Sequence, residues 1–248
     1  MSLSGKRPLA PAPRRDEAER PFWISFSDLM TALMALFLVA MTVALLSVTH
    51  EIRQTEDRKA ERQEEIDRFM AELQHATAAF PGVAVRGRVV DFGDRARFES
   101  DRYTLTAAQE TYLREVMPEL LRLAREPLGE KWLKRIVVEG FADPRGSYLH
   151  NLDLSLRRAE RVLCVLLAAP PAPAALSEAD RLLLRDLFLV SGSSFNALKE
   201  SDEESRRIEL RLEFLELDEP RLFPDPRPLD AETHCPLARN DRDSTMRG

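Results

Sequence analysis

The longest apolar run in the chain extends from Trp23 to Val48 and contains one charged residue, Asp28. At about 1.5 Å rise per residue, a helix of this length spans a hydrocarbon core of roughly 30 Å. The pattern therefore predicts a single transmembrane helix over residues 21–48. Residues 1–20 are rich in proline and charge and lack apolar periodicity, which predicts a disordered tail before the helix.

Residues 49–80 are highly charged and contain no glycine or proline, so the helix is expected to continue as a linker. Apolar residues recur at seven-residue spacing at Ile52, Ile66 and Leu73, which is compatible with a parallel dimer stalk. Lys59 occupies the same spacing and favours a solvated helical linker instead. The pattern alone leaves both interpretations open.

Pro81-Gly82 interrupts the helix and marks the expected start of a folded domain. Period-two alternation is clearest over Ile208–Phe214, which predicts a strand. Three further segments read as strands: Val83–Phe92 with a kink at Gly87, Arg135–Phe141, and Leu187–Val190.

Helical spacing follows Thr106, whose pairing with Gln109 predicts a capping box. It returns over Leu152–Ala168 and again after Ser177, a second expected N-cap. Strands alternating with helices predict a two-layer α/β domain over residues 81–217, and prolines with mixed charge predict a mobile tail over 218–248. The whole chain is thus of the α+β class, with one N-terminal transmembrane helix and a helical linker.

Composition excludes several functions. The net charge is −6 with both signs interspersed, so no basic face for nucleic acid is expected. The four histidines are scattered, and the chain has no phosphate-binding glycine loop and no nucleophile elbow. We therefore expect no enzyme, no metal and no bound cofactor.

Location follows from the flanks of the apolar run. Lysine and arginine precede it, so the positive-inside rule keeps the N-terminus in the cytoplasm and exports everything after His50. A cleaved signal peptide is less favoured, because its apolar core spans about 7–15 residues and ends in a small-x-small site. In a bacterium the domain would lie in the periplasm, where Cys164 and Cys235 could form a disulfide or remain two thiols.

Asp28 is the candidate for ion chemistry. A carboxylate near the bilayer centre costs about 2.5–3.5 kcal/mol on insertion scales. Hydrocarbon disfavours its charged form, so Asp28 is a candidate proton carrier. The alternative is an aspartate close enough to the helix end to reach the interface or to pair with a neighbouring helix.

The segment VEGFADPRGSYLHNLDLSLRRA, residues 138–159, resembles the OmpA-like peptidoglycan-binding domain. That family has Gly-His-Thr-Asp, a loop with glycine, then asparagine and Leu-Ser-x-x-Arg-Ala. The matching positions are Gly140, Asp143, Gly146, Asn151, Leu154, Ser155, Arg158 and Ala159. The resemblance covers about residues 83–215 and includes Phe98, Leu105 and the Arg-Arg-Ile-Glu run at 206–209. Phe141 and Ala142 depart from the family's usual residues.

The resemblance implies a ligand with an ammonium and a carboxylate, as in the diaminopimelate unit of peptidoglycan. Asp143 is expected to pair with the ammonium and Arg158 to hold the carboxylate bidentately. Gly146 would permit a tight turn, and Asn151 would hold the loop through backbone hydrogen bonds. The alternative is an Asp143–Arg158 ion pair that only fixes loop to helix.

An enzymatic alternative casts Glu139 and Asp143 as an acid–base pair acting on peptidoglycan. Glu139 is expected to alternate away from its neighbours along the strand, and nothing else in the sequence supports hydrolysis. We therefore favour binding.

PFWISFSDLM, residues 21–30, resembles the Pro-x-Trp-x-x-x-Phe-x-Asp-Met-Met pattern of ion-driven stator B subunits of the flagellar MotB type, with shifts. Asp28 falls on that family's ion-carrying aspartate. The family implies a homodimer of this chain inside a ring of five A subunits, powered by the proton motive force. Whether sodium replaces the proton depends on partner residues outside this chain.

Among stator subunits, the apolar segment from Ser25 and the insertion APPAPAALSEADRLLLRD look most like the B subunits of Zorya anti-phage defence motors. That resemblance implies a motor anchored to the cell wall and acting in defence. A flagellar stator subunit and a motor-free anchor between membrane and wall are the two alternatives.

Overall fold

The computed structural model describes residues 16–168 and 176–221 together with Cys235 and Leu237, with side chains from residue 26 onward. The chain divides into two compact units between Arg58 and Lys59. Residues 169–175 of the insertion predicted at 169–186, and most of the predicted C-terminal tail, lie outside the described residues.

The first element, α1, is one helix from Asp16 to Thr77. It begins inside the tail that was expected to be disordered to residue 20, and it does not end between the predicted span and linker. Within the described part of the chain it is the one helix long and apolar enough to cross a membrane. The hydroxyls of Thr31, Thr42 and Thr49 each donate to the carbonyl four residues earlier, so these polar groups are satisfied within the helix.

The second unit contains a five-stranded sheet of order β1-β2-β5-β3-β4. Its strands are β1 Ala84–Arg86, β2 Val89–Asp91, β3 Leu133–Gly140, β4 Phe188–Gly192 and β5 Ile208–Phe214. β3 and β4 are parallel, and all other neighbours are antiparallel. The α+β class is confirmed.

The remaining helices are α2 Ala107–Arg125, α3 Pro127–Trp132, α4 Tyr148–Leu167, α5 Glu178–Leu187 and α6 Asp202–Ser205, with a 3-10 turn at Gly93–Ala96. The capping box is confirmed, because Gln109 N–H donates to Thr106 Oγ1 at 3.3 Å and Thr106 N–H donates to Gln109 Oε1 at 2.9 Å. Ser177 caps α5 as expected. Gly87, predicted as a kink in one strand, instead turns the chain between β1 and β2 with φ of +58°.

The second half of α1 belongs to the core of the folded unit. Ile66, Phe69 and Leu73 are fully buried, and the rings of Phe69 and Phe214 meet edge to face with centroids 5.8 Å apart. The seven-residue spacing of Ile66 and Leu73 therefore serves this core, and the dimer-stalk interpretation is wrong for this half of the helix.

Polar contacts fix the same helix half. Arg62 Nε donates to the Leu215 carbonyl at 2.7 Å. Glu65 accepts from Trp132 Nε1 and Lys131 Nζ, both at 2.5 Å, and these hydrogen bonds lower the pKa of the Glu65 carboxyl. The folded domain was predicted to begin at Pro81, but the compact unit begins at Lys59. The prediction was wrong because charged, exposed residues separate the few buried apolar residues on this half of α1.

The two cysteines form a disulfide between α4 and the C-terminal segment. The Cα atoms of Cys164 and Cys235 are 5.2 Å apart, and 71 positions separate them in the chain. Leu237, two residues on, is buried. The predicted mobile tail implied that this part of the C-terminal segment is free. It is instead held on the folded unit at Cys235 and Leu237.

Phe69→Ala should lower the free energy of unfolding of a fragment spanning residues 59–248 by about 3–5 kcal/mol, because it empties a buried aromatic site. Urea unfolding followed by circular dichroism measures this change. Glu72→Ala on the exposed face of the same helix is the control and should stay within about 0.5 kcal/mol of wild type. Equal, small changes in both variants would show that α1 does not belong to the core.

Candidate functional site

The loop between β3 and α4 carries most of the residues that the sequence singled out. β3 ends at Gly140, where a Cβ atom would lie 1.9 Å from the Ser155 carbonyl oxygen, so only glycine lets α4 pack this closely. Ser147 then caps α4 by accepting from His150 N–H. Gly146 has φ of +94°, a conformation that side chains rarely adopt. Its predicted role in a tight turn agrees with this geometry.

Asp143 lies in this loop and is nearly buried, with 5% of its surface exposed. One carboxylate oxygen accepts the Arg145 N–H at 3.1 Å, and the other accepts Arg206 Nη1 at 3.0 Å. Asn151, on α4, donates from Nδ2 to the Arg145 carbonyl at 2.7 Å. Asp143 and Asn151 thus hold the two sides of Arg145, and Asn151 makes the backbone contact expected of it.

Among the residues that the structure describes, Arg158 is the largest fully buried side chain. Its guanidinium group donates to three backbone carbonyls: Nε to Arg102 at 2.9 Å, Nη1 to Phe141 at 2.7 Å and Nη2 to Glu99 at 3.0 Å. The Phe98 ring lies against it, with 5.1 Å between its centroid and the guanidinium carbon. Nη1 and Nη2 each keep a further N–H donor beyond these contacts.

Burial lowers the pKa of the Arg158 guanidinium to about 10. The Asp143 carboxylate opposes this shift, and the positive charge of Arg206 adds to it. A value near 10 still leaves Arg158 charged at neutral pH. The site therefore contains two cations, Arg158 and Arg206, beside one carboxylate.

The direct Asp143–Arg158 ion pair, which the sequence left as an alternative, is not the arrangement found here. Asp143 pairs with Arg206, and backbone carbonyls hold Arg158. Arg206 is the residue that sequence reasoning missed as a site residue. Its Arg-Arg-Ile-Glu run had been noticed only as a match to the family, and the sequence did not indicate which loop it would reach.

The unusual residues Phe141 and Ala142 are both buried. The Arg207 guanidinium carbon lies 4.1 Å from the centroid of the Phe141 ring. Ala142 N–H donates to the Ser194 carbonyl at 2.8 Å. The loop is thus held by ring packing and backbone hydrogen bonds where the family's usual hydroxyl is absent.

A segment before α2 covers Arg158, since Glu99 and Arg102 supply two of its three carbonyl partners. Between them, Asp101 has a left-handed backbone with φ of +54° and contacts His150 Nε2 at 2.7 Å. Arg158 is fully buried, so a ligand carboxylate cannot reach its donors in this closed arrangement.

Glu139 and Asp143, the residues of the acid–base alternative, have different partners. Glu139 accepts from Ser193 Oγ and pairs with Arg211 at 3.2 Å, whereas Asp143 contacts Arg145 and Arg206. In the part of the chain that the structure describes, no group of three acidic, histidine or cysteine side chains is arranged to hold a metal ion.

Asp28 belongs to the other compact unit and lies on the exposed, apolar stretch of α1. Large exposed apolar side chains surround it along the helix, among them Phe26, Leu29 and Met30. Such a surface requires a lipid or protein partner.

Comparisons with known proteins agree with this organisation. Residues 6–50 match the family model described as membrane MotB of the proton-channel complex MotA/MotB. The chain is 44% identical over 212 residues to the Zorya protein ZorB of Escherichia coli O139:H28 (strain E24377A / ETEC), which covers 84% of this chain and 86% of that protein.

Solved structures to which the chain shows similarity include a MotB-like protein from Desulfovibrio vulgaris, with a TM-score of 0.40 and 16% identity over 67% of this chain and 99% of that one. The cell wall anchor of the T6SS from Pseudomonas aeruginosa has a TM-score of 0.36 and 18% identity over 58% of this chain and 96% of that one. At these scores the likeness is limited, and the family assignment rests on the sequence match.

Arg158→Met should lower the free energy of unfolding of the 59–248 fragment by about 3 kcal/mol or more, because three carbonyls lose their donor. Denaturant titration measures the loss. The control is Arg157→Met, which removes a neighbouring arginine with a solvent-exposed Asp153 partner and should cost less than about 1 kcal/mol. If Arg158→Met left the free energy of unfolding unchanged, the structural importance of the carbonyl cluster would be contradicted.

Proposed function

The chain belongs to the ZorB family of MotB-like stator B subunits, and from this premise we propose that it carries protons on Asp28 in a wall-anchored motor of anti-phage defence. The observation that carries the proposal is a lone carboxylate in the apolar stretch of α1, inside the part matched by the proton-channel model. Sodium in place of the proton would leave this architecture unchanged.

The physical argument for Asp28 is its surroundings. A carboxylate among exposed apolar side chains on a membrane-length helix is costly when charged. Binding a proton removes that cost, and releasing it restores the charge. Alternation between the two states gives an ion-driven machine a site that partner subunits can open to either side of the membrane in turn.

The wall-binding part of the proposal rests on the Asp143–Arg158 region. The remaining N–H donors of Arg158 suit a ligand carboxylate, and lone pairs left on Asp143 suit an ammonium. A diaminopimelate unit carries both groups. Binding requires displacement of the Glu99–Arg102 segment, so we expect the free site to be closed.

The partners follow from the same premise. We propose a single-pass inner-membrane protein with its N-terminus in the cytoplasm and its folded unit in the periplasm. Two copies would lie within a ring of A subunits of the ZorA or MotA kind. A disulfide between Cys164 and Cys235 is chemically suited to that oxidising compartment.

Asp143→Asn should weaken binding of the full-length, detergent-solubilised protein to purified cell-wall sacculi by at least about tenfold, because it removes the charge expected to meet the ammonium. Co-sedimentation over a range of sacculus concentrations measures the affinity. Asp153→Asn, which changes an exposed carboxylate on α4, is the matched control and should bind like wild type. Equal binding by all three proteins would remove the wall-anchor proposal.

Asp28→Asn should abolish protection in phage plating of cells that express the chain with its neighbouring genes, at protein levels matched to wild type. Thr42→Val is the control, because its hydroxyl bonds only to its own helix and its loss should preserve protection. Protection that survives Asp28→Asn would favour the motor-free anchor. If wild type gives no protection, a swimming assay tests the flagellar alternative.

A further inference from the structure

Arg206 lies between α6 and β5, and its side chain is 13% exposed. Nη1 pairs with Asp143 Oδ2 at 3.0 Å, and Nε donates to the Phe98 carbonyl at 2.9 Å. One guanidinium group therefore joins the β3–α4 loop to the segment before α2. These are the two segments from which the proposed binding site is built.

The contact with Phe98 is reciprocal. Phe98 N–H donates to the Arg206 carbonyl at 2.9 Å while the Arg206 side chain donates to the Phe98 carbonyl. The Phe98 ring in turn packs against Arg158. Arg206 thus acts directly on Asp143 and, through Phe98, on the surroundings of Arg158.

The two guanidinium charges of Arg206 and Arg158 repel each other, which is a cost that calls for a functional reason. The charge of Arg206 works against the charged form of Arg158, and both are sheltered from solvent. Neighbouring Arg207 takes a different direction, with Glu209 Oε1 at 2.6 Å and the Ala197 carbonyl at 3.1 Å as partners. Arg207 also packs on the Phe141 ring of the β3–α4 loop, but its ion-pair partner is Glu209, whereas that of Arg206 is Asp143. The two successive arginines therefore provide a matched pair for experiment.

We propose that Arg206 is a positioning residue of the wall-binding site. It fixes the orientation of the Asp143 carboxylate through Oδ2 and aims its free lone pairs at the ligand ammonium. Its hold on Phe98 anchors the start of the segment before α2, so that the Phe98 ring stays against Arg158 when Glu99–Arg102 moves aside. This inference rests on the proposed wall-binding function and adds a residue to it.

A double-mutant cycle tests the inference, using the full-length protein in detergent and sacculus co-sedimentation. Arg206→Met should weaken binding by about tenfold when Asp143 is present, and by less than about twofold when it is introduced into Asp143→Asn. Most of its effect then passes through Asp143. Arg206→Lys keeps a cation but cannot hold both partners, and it should recover part of the loss.

Arg207→Met is the control for a purely structural role. Any loss that it causes should be equal in the Asp143 and Asp143→Asn backgrounds. An equal loss from Arg206→Met in both backgrounds, or no loss, would overturn the positioning role while leaving the wall site intact. If Arg206→Met does not fold, the same cycle with Arg206→Lys decides. An Asp143→Asn variant that binds like wild type would instead overturn the wall site itself.

Discussion

The buried guanidinium group of Arg158 ties two separate connections of the folded unit together. A charge out of water is costly unless its donors are satisfied, and here Glu99, Arg102 and Phe141 contribute three carbonyls. Those residues come from two separate connections, so the segment before α2 and the loop after β3 must close together. Gly140 makes this possible, because no larger residue would let α4 bring Arg158 so near the sheet. The proposed site is thus an extension of the core.

The folded unit begins earlier in the chain than the predicted start at Pro81, because it includes the second half of α1. Ile66, Phe69 and Leu73 place the second half of α1 in the core, and α1 is also the helix that contains Asp28. An independent linker is therefore absent over residues 59–77. Only the part of α1 before Lys59 remains outside the folded unit.

Local sequence patterns predicted those parts of the fold that depend on interactions between residues close together in the chain. The Thr106 capping box and the alternation of β5 depend on residues a few positions apart, and both are present. The packing of α1 was missed because Ile66 and Leu73 at seven-residue spacing fit either a second helix or a sheet. Distant residues such as Phe214 and Trp132 distinguish these partners, and their positions depend on the completed fold.

The candidate site shows the same division. Asp143, Gly146, Asn151 and Arg158 were found because the motif keeps them within one loop and one helix. The partners of Arg158 and Asp143 could not be predicted in this way, since Glu99 and Arg206 are far away in the sequence. Arg206 was visible as part of a motif, but its contact with Asp143 depends on how β5 enters the sheet beside β3.

The measurement closest to the central claim is labelling of Asp28 by a hydrophobic carbodiimide, a reagent that modifies protonated carboxyl groups in apolar surroundings. Full-length protein in native membranes with its A subunit would be treated over a range of pH and analysed by mass spectrometry. The account predicts an adduct on Asp28, with Asp57, on the charged part of α1, unlabelled. Absence of an Asp28 adduct at every pH, while other membrane carboxyl groups react, would contradict the claim that Asp28 takes up a proton within the membrane.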